Sequence, residues 1–392
     1  MLGAEVHGYA CGLIFFGSLR LPKLVTTTQT TRMKSFSTPE ILPTHTAALF
    51  DTAVKRAAEL LRAGELVALP TETVYGLAAN AFDGSAVEKI FQAKGRPAQN
   101  PIIVHVASRE MAKRCVASWP DLANKLAESF WPGPLTLVLP RSNKIPDGVT
   151  AGGETVGVRW PSHPLIQAVI RVCGFPLAAP SANPSNQISP TNAEHVRKSL
   201  GNRISLIIDG GQSQVGIEST VLDLTVQPPR LLRPGMIHAA SLLAVTGELT
   251  LGLGASEEIL RSPGLLRKHY SPKARLVILS WKDEADLAFQ ISNLKTRPRP
   301  QDAGVTQSGS HFTLDPSLLA KIHVIAHTHI PLREKMGRVS VIPHDAEAFA
   351  RAIYAVLHQC DEAGAELIVV ESLPNTEPWH AVRDRLQRAA AS

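Results

Sequence analysis

Apolar residues at Leu49, Ala53, Val54, Ala57, Leu60 and Leu61 return at helical spacing and predict a helix over Ala47–Leu61, with Gly64 placed to end it. The period then shortens, and LVALP forms an extended run that leads directly into the hydroxyl-rich turn TETVYGL. Ser85 and Glu88, at capping-box spacing, predict a second helix to Ala93, and the β-branched density of IIVHV after it predicts a buried strand. The alternation continues with a helix over Asp121–Ser129, the strands LTLVLP and TVGVRW, a helix after His163 and the short run PLAAP. Thr191 and Glu194 open another helix, followed by the strands SLIID and STVLDL. Together these predict one α/β domain over residues 46–238. Its elements do not alternate regularly enough for an all-parallel sheet, so a mixed, twisted sheet is expected.

The pattern changes over residues 239–274, which are rich in Gly, Ser and basic side chains and read as a connector. Beyond it, RLVILS, a helix over Asp283–Leu294, KIHVIA, a helix over Ala346–Gln359, ELIVVE and a helix over Glu377–Ala389 repeat a β–α rhythm. A smaller Rossmann-like α/β domain is expected over residues 275–392, parallel and covered on both faces, with Thr296–His311 as a polar surface loop. It has no G-x-G-x-x-G or phosphate-loop motif, which points to a structural or regulatory role. Residues 1–45 stand apart as an N-terminal extension. Its apolar run GYACGLIFFG is about half as long as a membrane crossing needs, lacks a preceding basic residue, and is followed by a more ordinary start at Met33. The first 32 residues therefore read as a dispensable extension or an upstream start, in a cytoplasmic protein without a membrane segment.

Composition narrows the class. With 44% hydrophobic and 19% charged residues over 392 positions, the chain is globular and long enough for two or three folded units. A net charge of +6 suits nucleotides, phosphates or RNA without choosing among them. Cys11, Cys115, Cys173 and Cys360 are too far apart for a metal pair or a disulfide framework, so reduced thiols are expected.

Candidate chemistry gathers at the ends of the elements. Lys94 and Arg96 flank Gly95 at the end of a predicted helix, and their spacing suits either an anion site or a solvated helix terminus. Ser181 and Asn183 lie in a loop framed by Pro180 and Pro184, a restricted setting in which a hydroxyl and an amide can be held ready for phosphate or ribose. Arg159 and Arg233 end strand-like runs, where cations often point into the crevice of an α/β sheet. Four cations from three segments fit a triphosphate better than a single carboxylate. His105 is either a base, a hydrogen-bond partner or a core residue of its strand. Thr71, Glu72, Thr73 and Tyr75, like Glu218, Ser219 and Thr220, offer polar groups that a turn could equally use for itself. There is no G-x-S-x-G turn and no cluster of metal-ligating side chains, so Mg2+ is expected to arrive on a nucleotide.

The succession PTETVYGL, KGRPAQNPIIVH, WPGPLT, VGVRWPSHP, APSANPS, GIESTV and LLRPG resembles the ordered motifs of the Sua5/YrdC family of threonylcarbamoyl-AMP synthases, over about residues 50–237. SPGLLRKHYSPKARLVIL further resembles the linker and the start of the extra domain of the long, Sua5-type members. The resemblance implies a YrdC-like catalytic domain, and a reaction of L-threonine, bicarbonate and ATP that gives L-threonylcarbamoyladenylate and pyrophosphate. It also implies hand-off of that product to a tRNA threonylcarbamoyl transferase, with direct tRNA binding left open. By resemblance Lys94, Arg96, Ser181 and Asn183 form the catalytic K-x-R and S-x-N signature. ATP or its adenylate falls to Arg96, Asn100, Thr155, Ser181, Ser189, Arg233 and the linker Tyr270, which would cover the nucleotide. Threonine falls to Thr73, His105, Arg159, the backbone of Ala179, and Ser219. Two other classes remain as alternatives. A non-catalytic RNA-binding or ribosome-associated module is disfavoured by 5% aromatic residues with none interleaved in a basic patch. A carbamoyl-adenylate-forming maturation factor for a metalloenzyme lacks its expected C-x-x-C pairs here.

Overall fold

The computed structural model describes residues 38–97, 100–252, 269–296, 319–332 and 336–391. The expected extension before Met33, the middle of the connector and nearly all of the polar loop Thr296–His311 lie outside the described residues.

Strands β1 (Glu40–Pro43), β2 (Val67–Leu69), β3 (Gly76–Asn80), β4 (Val104–His105), β5 (Leu135–Pro140) and β6 (Thr155–Arg159) build most of the first sheet. It is completed by β7 (Leu177–Ala178), β8 (Leu206–Asp209), β9 (Thr220–Asp223), β10 (Arg230–Arg233) and β11 (Thr250–Leu251). Their order is β1-β8-β2-β3-β7-β4-β6-β5-β9-β10-β11. Parallel pairs such as β4 with β6 alternate with antiparallel ones such as β5 with β6, so the sheet is mixed, as expected. The helices Ala47–Arg62 and Pro164–Cys173 bury Ala53, Ala57, Val169 and Ile170 on one face. The helices Gly84–Lys94, Asp121–Phe130 and Ala193–Leu200 bury Ile90, Leu126 and Val196 on the other.

Several local readings change. The sheet begins before residue 46, because β1 pairs in parallel with β8, and extends past residue 238, because β11 pairs with β10. The helix expected from Ser85 is capped by Asp83, whose carboxylate accepts from Ser85 N and Ala86 N. The helix expected from Thr191 is capped by Asn192, which accepts from His195 N. In both cases a side chain beside the expected cap reaches the free amides better. The IIVHV run pairs only through Val104 and His105, and the turn after TETVY continues as β3.

The second sheet consists of β12 (Arg275–Leu279), β13 (Ile322–Ala326), β14 (Arg338–Val341) and β15 (Leu367–Glu371), in the order β12-β15-β13-β14. Every pairing is parallel. The helix Glu284–Thr296 covers one face with Leu287 and Ile291. The helices Ala346–Glu362 and His380–Ala390 cover the other with Phe349, Ile353, Val382 and Leu386.

That second core does not stop at the domain boundary. Val74, Ile188 and Ile217 from the first sheet's loops and Tyr270 from the connector pack into the same apolar cluster as Ile353, Tyr354 and Leu386. Gly216 marks the closest approach: a Cβ there would sit 2.5 Å from the Ala350 carbonyl oxygen and 2.5 Å from Arg351 Cα, at φ +81°. Neither backbone atom can retreat cheaply, and a non-glycine residue pays in the left-handed region as well. Gly216→Ala is therefore expected to lower the unfolding midpoint by several degrees in a calorimetric scan, and an unchanged midpoint would contradict this interface.

Candidate active site

One cavity gathers residues from eight segments: the TETVY turn, the turn after the helix Gly84–Lys94, the ends of β4 and β6, the loop after β7, the start of β9, the end of β10, and the connector. Parallel pairing sets His105 beside Arg159 at the ends of β4 and β6. The two-residue period of β4 puts Ile103 and His105 on the same side, and both line the cavity.

At one end, Arg159 is 3% exposed and reaches three partners. Its Nη2 lies 2.7 Å from Glu72 Oε1, its Nη1 donates to Thr73 Oγ1 at 2.9 Å, and its Nε donates to the Gly133 carbonyl at 3.3 Å. Thr71 and Thr73 share a 2.9 Å hydroxyl contact, which fixes the turn that carries Glu72. His105 is buried with Nδ1 meeting no protein partner. Burial first, then the Arg159 charge, hold its pKa well below the ordinary histidine range, so the ring is neutral at pH 7. Ser219 Oγ lies 2.8 Å from Thr136 Oγ1 and accepts from Arg233 Nη2 at 3.1 Å.

The other end is cationic. Gly95 takes the left-handed C-cap of the helix Gly84–Lys94, and this turn carries the chain round from Lys94 to Arg96. Lys94 Nζ donates 2.6 Å to the Ser181 carbonyl and also to the Asn183 carbonyl, so it ties down the S-x-N loop, while burial first and then the Arg96 charge hold its pKa well below the ordinary lysine range. Arg96 Nε donates 3.1 Å to the Asn100 carbonyl and Nη2 2.7 Å to the Pro101 carbonyl. Burial lowers the Arg96 pKa to about 10, and it remains charged at neutral pH. Both polar atoms of the buried Asn100 side chain lack a protein partner. Unpaired buried groups of this kind cost free energy unless a ligand or water meets them.

Tyr270 lines the cavity from the connector. It is 1% exposed at φ 62°, and Ser271 N donates 2.9 Å to the Asn186 carbonyl, which seats the connector against the S-x-N loop. The cavity keeps about 50 Å³ of free space. That is room for a few waters at roughly 10–15 Å³ each, not for a nucleotide.

Comparisons with known proteins identify the family of the chain. A family model described as "Telomere recombination", of the Sua5, YciO and YrdC proteins, matches residues 59–235. A second, described as "Threonylcarbamoyl-AMP synthase, C-terminal domain", matches residues 236–391. A threonylcarbamoyl-AMP synthase of Bacillus subtilis is 40% identical over 343 residues, 87% of this chain and 93% of its own length. One of Pyrococcus abyssi is 38% identical over 341 residues, 86% of this chain and 94% of its own. The chain belongs to the Sua5/YrdC family. The crystal structure of P. abyssi Sua5 complexed with L-threonine superposes with a TM-score of 0.75 at 37% identity, over 86% of this chain and 94% of that one.

Of the residues that the family resemblance singled out, Thr73, Arg96, His105, Arg159, Ala179, Ser181, Ser219, Arg233 and Tyr270 line the cavity. Lys94 and Asn183 stand behind its wall and hold the loop of Ser181. Asn100 sits behind Arg96, and the Ser189 hydroxyl donates 2.6 Å to Glu218 Oε1 rather than facing the cavity. Thr155 is not brought to the wall: it starts β6, four residues before Arg159 ends it. Groups that the sequence did not single out also belong here. Thr136 fixes Ser219, while Tyr354 and Arg385 of the second domain reach Glu218, a wall residue, at 3.1 and 2.7 Å.

Proposed function

We propose that the protein joins L-threonine, bicarbonate and ATP into L-threonylcarbamoyladenylate, releasing pyrophosphate. The observation that carries this reading is the division of one cavity into an arginine–histidine–hydroxyl end and a cationic end. Such a division suits a small amino acid held next to an adenosine triphosphate, which enters once Tyr270 withdraws from its place in the cavity wall. The names of the relatives support it.

In this reading Arg159 meets the threonine carboxylate, with Thr73, His105, Ser219 and the Ala179 backbone around the rest of the molecule. A neutral His105 offers a hydrogen bond rather than a charge. Arg96, Arg233 and the Lys94-held loop of Ser181 and Asn183 face the phosphates, with Asn100, Thr155 and Ser189 assigned to the nucleotide on resemblance. The threonine amine attacks the bicarbonate carbon and water leaves, giving a carbamate. A carbamate oxygen then attacks the α-phosphorus, and the bond to the pyrophosphate oxygen breaks. Carbamates lose CO2 readily in water, so a cavity that excludes solvent protects the intermediate, while fixed cations offset the charge on the phosphates. Glu218 is the carboxylate of the described wall, and its oxygens are occupied by Ser189, Tyr354 and Arg385. Mg2+ therefore rides in on ATP, held by phosphate oxygens.

The buried cations argue against an RNA-binding surface, because Lys94, Arg96, Arg159 and Arg233 are all at most 8% exposed and out of reach of a nucleic-acid backbone. The adenylate passes instead to a separate transferase that completes threonylcarbamoyladenosine in tRNA. A cytoplasmic setting fits the free, buried thiols of Cys115, Cys173 and Cys360. Pyrophosphate release measured with ATP, magnesium and bicarbonate should depend on threonine and fall strongly when serine replaces it. Release that ignores the amino acid would defeat the proposal.

A further inference from the structure

One side chain of the last helix meets three separate loops of the cavity. Arg385, in the helix His380–Ala390, is 1% exposed and among the largest fully buried side chains of the protein. Its Nε donates 2.7 Å to Glu218 Oε2 in the GIESTV segment, and its Nη2 donates 2.9 Å to the Pro234 carbonyl, next to Arg233. Its guanidinium carbon lies 5.3 Å from the ring centroid of Tyr270, a cation–π distance. Asp384 Oδ2 takes Nη1 at 2.5 Å and so fixes the plane of the fork.

The contacts continue beyond it. Glu218 Oε1 accepts from Ser189 Oγ at 2.6 Å, and Oε2 accepts from Tyr354 OH at 3.1 Å. The connector is tied to the same helix by His269 N, which donates 3.3 Å to the Arg388 carbonyl. A buried interdomain ion pair is by itself weak evidence of a role, since apolar packing stabilises as well. Here the guanidinium uses its separate donors and its face on different pocket segments, a geometry that a lysine cannot reproduce.

We propose that Arg385 is a positioning residue of the nucleotide site: the second domain uses it to fix Glu218, the Arg233–Pro234 turn and the closed place of Tyr270 as one unit. This rests on the adenylate-forming reading and adds the second domain's part in it. Arg385 lies on the side of Glu218, Arg233 and Tyr270 rather than that of Glu72 and Arg159, so its loss should act on ATP far more than on threonine, which it reaches only through Ser219 beside Glu218.

The test compares Arg385→Lys and Arg385→Met with the parent protein. Calorimetric titration with a non-hydrolysable ATP analogue and with threonine, steady-state kinetics and thermal unfolding are measured for each. For Arg385→Met the analogue's Kd and the KM for ATP should rise about tenfold or more, with the threonine Kd within about twofold, as expected for misplaced binding groups. Arg385→Lys keeps a charge opposite Glu218 and should fold even if Arg385→Met does not, yet it should recover only part of the ATP affinity. A lysine variant with parental ATP affinity would overturn the proposal. So would equal losses of ATP and threonine affinity that follow the loss of folded protein. The analogue titration does not depend on product formation, so a parent that binds ATP but makes no adenylate defeats the functional reading alone.

Discussion

Replacing Arg96 with Ala is expected to lower kcat/KM for ATP by about 10²–10³-fold, the range found when a fixed donor to developing charge is removed from an active site. Two effects combine. The buried guanidinium is lost from the cationic end of the cavity, and the carbonyls of Asn100 and Pro101, which accept from it at 3.1 and 2.7 Å, lose their donor. Arg96→Lys separates the two, because it keeps a charge but not the fork that spans both carbonyls. Steady-state kinetics with ATP varied should show the lysine variant between the parent and Arg96→Ala. A kcat/KM for Arg96→Ala within about threefold of the parent would remove Arg96 from the nucleotide site.

The second large effect is expected at the opposite end. Arg159→Ala leaves Glu72 buried without its partner, since the two side chains are 4% and 7% exposed in their 2.7 Å pair. Breaking such a pair from one side costs about 3–5 kcal/mol, enough to threaten folding by itself. The same substitution removes the cation assigned to the threonine carboxylate, worth about 1.5–3 kcal/mol for a charged hydrogen bond, or roughly 10- to 150-fold in threonine affinity. The double replacement Arg159→Met with Glu72→Gln distinguishes these terms. It should recover most of the lost stability in denaturant unfolding, while threonine binding measured by calorimetry stays weak. Recovery of both would mean that Arg159 serves the fold and not the substrate.

The sequence displayed the site unevenly, for physical reasons. The motif-bearing loops were legible because chemistry and turn geometry restrict the same few residues. Gly95 lets the chain turn between Lys94 and Arg96, and Pro180 and Pro184 frame Ser181 and Asn183. Sheet class was legible because irregular alternation of elements does not build an all-parallel sheet, and the small second domain showed its parallel rhythm in RLVILS, KIHVIA and ELIVVE. Strand β1 was hidden, since four residues carry too little periodicity to register before a distant partner such as β8 pairs with them. The cap positions of two helices shifted by one or two residues because Asp83 and Asn192 compete with equally plausible neighbours.

Arg385 was illegible for a different reason. In HAVRDRLQRAA it reads as one charge on an arginine-rich, solvated helix face, and nothing local tells it from Arg383 or Arg388. Its meaning comes from Glu218, 167 residues earlier. For Glu218 the sequence left a site role and a turn role equally open, and its oxygens meet Ser189, Tyr354 and Arg385. Thr155 is the converse case, a residue carried by motif resemblance that stands at the far end of β6 from the wall residue Arg159.

The reaction proposed for this cavity joins threonine, bicarbonate and ATP. Its most direct test is mass spectrometry of the products after incubating the full chain with ATP, magnesium, threonine and isotope-labelled bicarbonate. The expected product is a threonylcarbamoyl adenylate that carries the label, formed together with pyrophosphate and absent when threonine is omitted. Folded protein that binds ATP yet yields no labelled adenylate, or that yields an adenylate without the label, would contradict it.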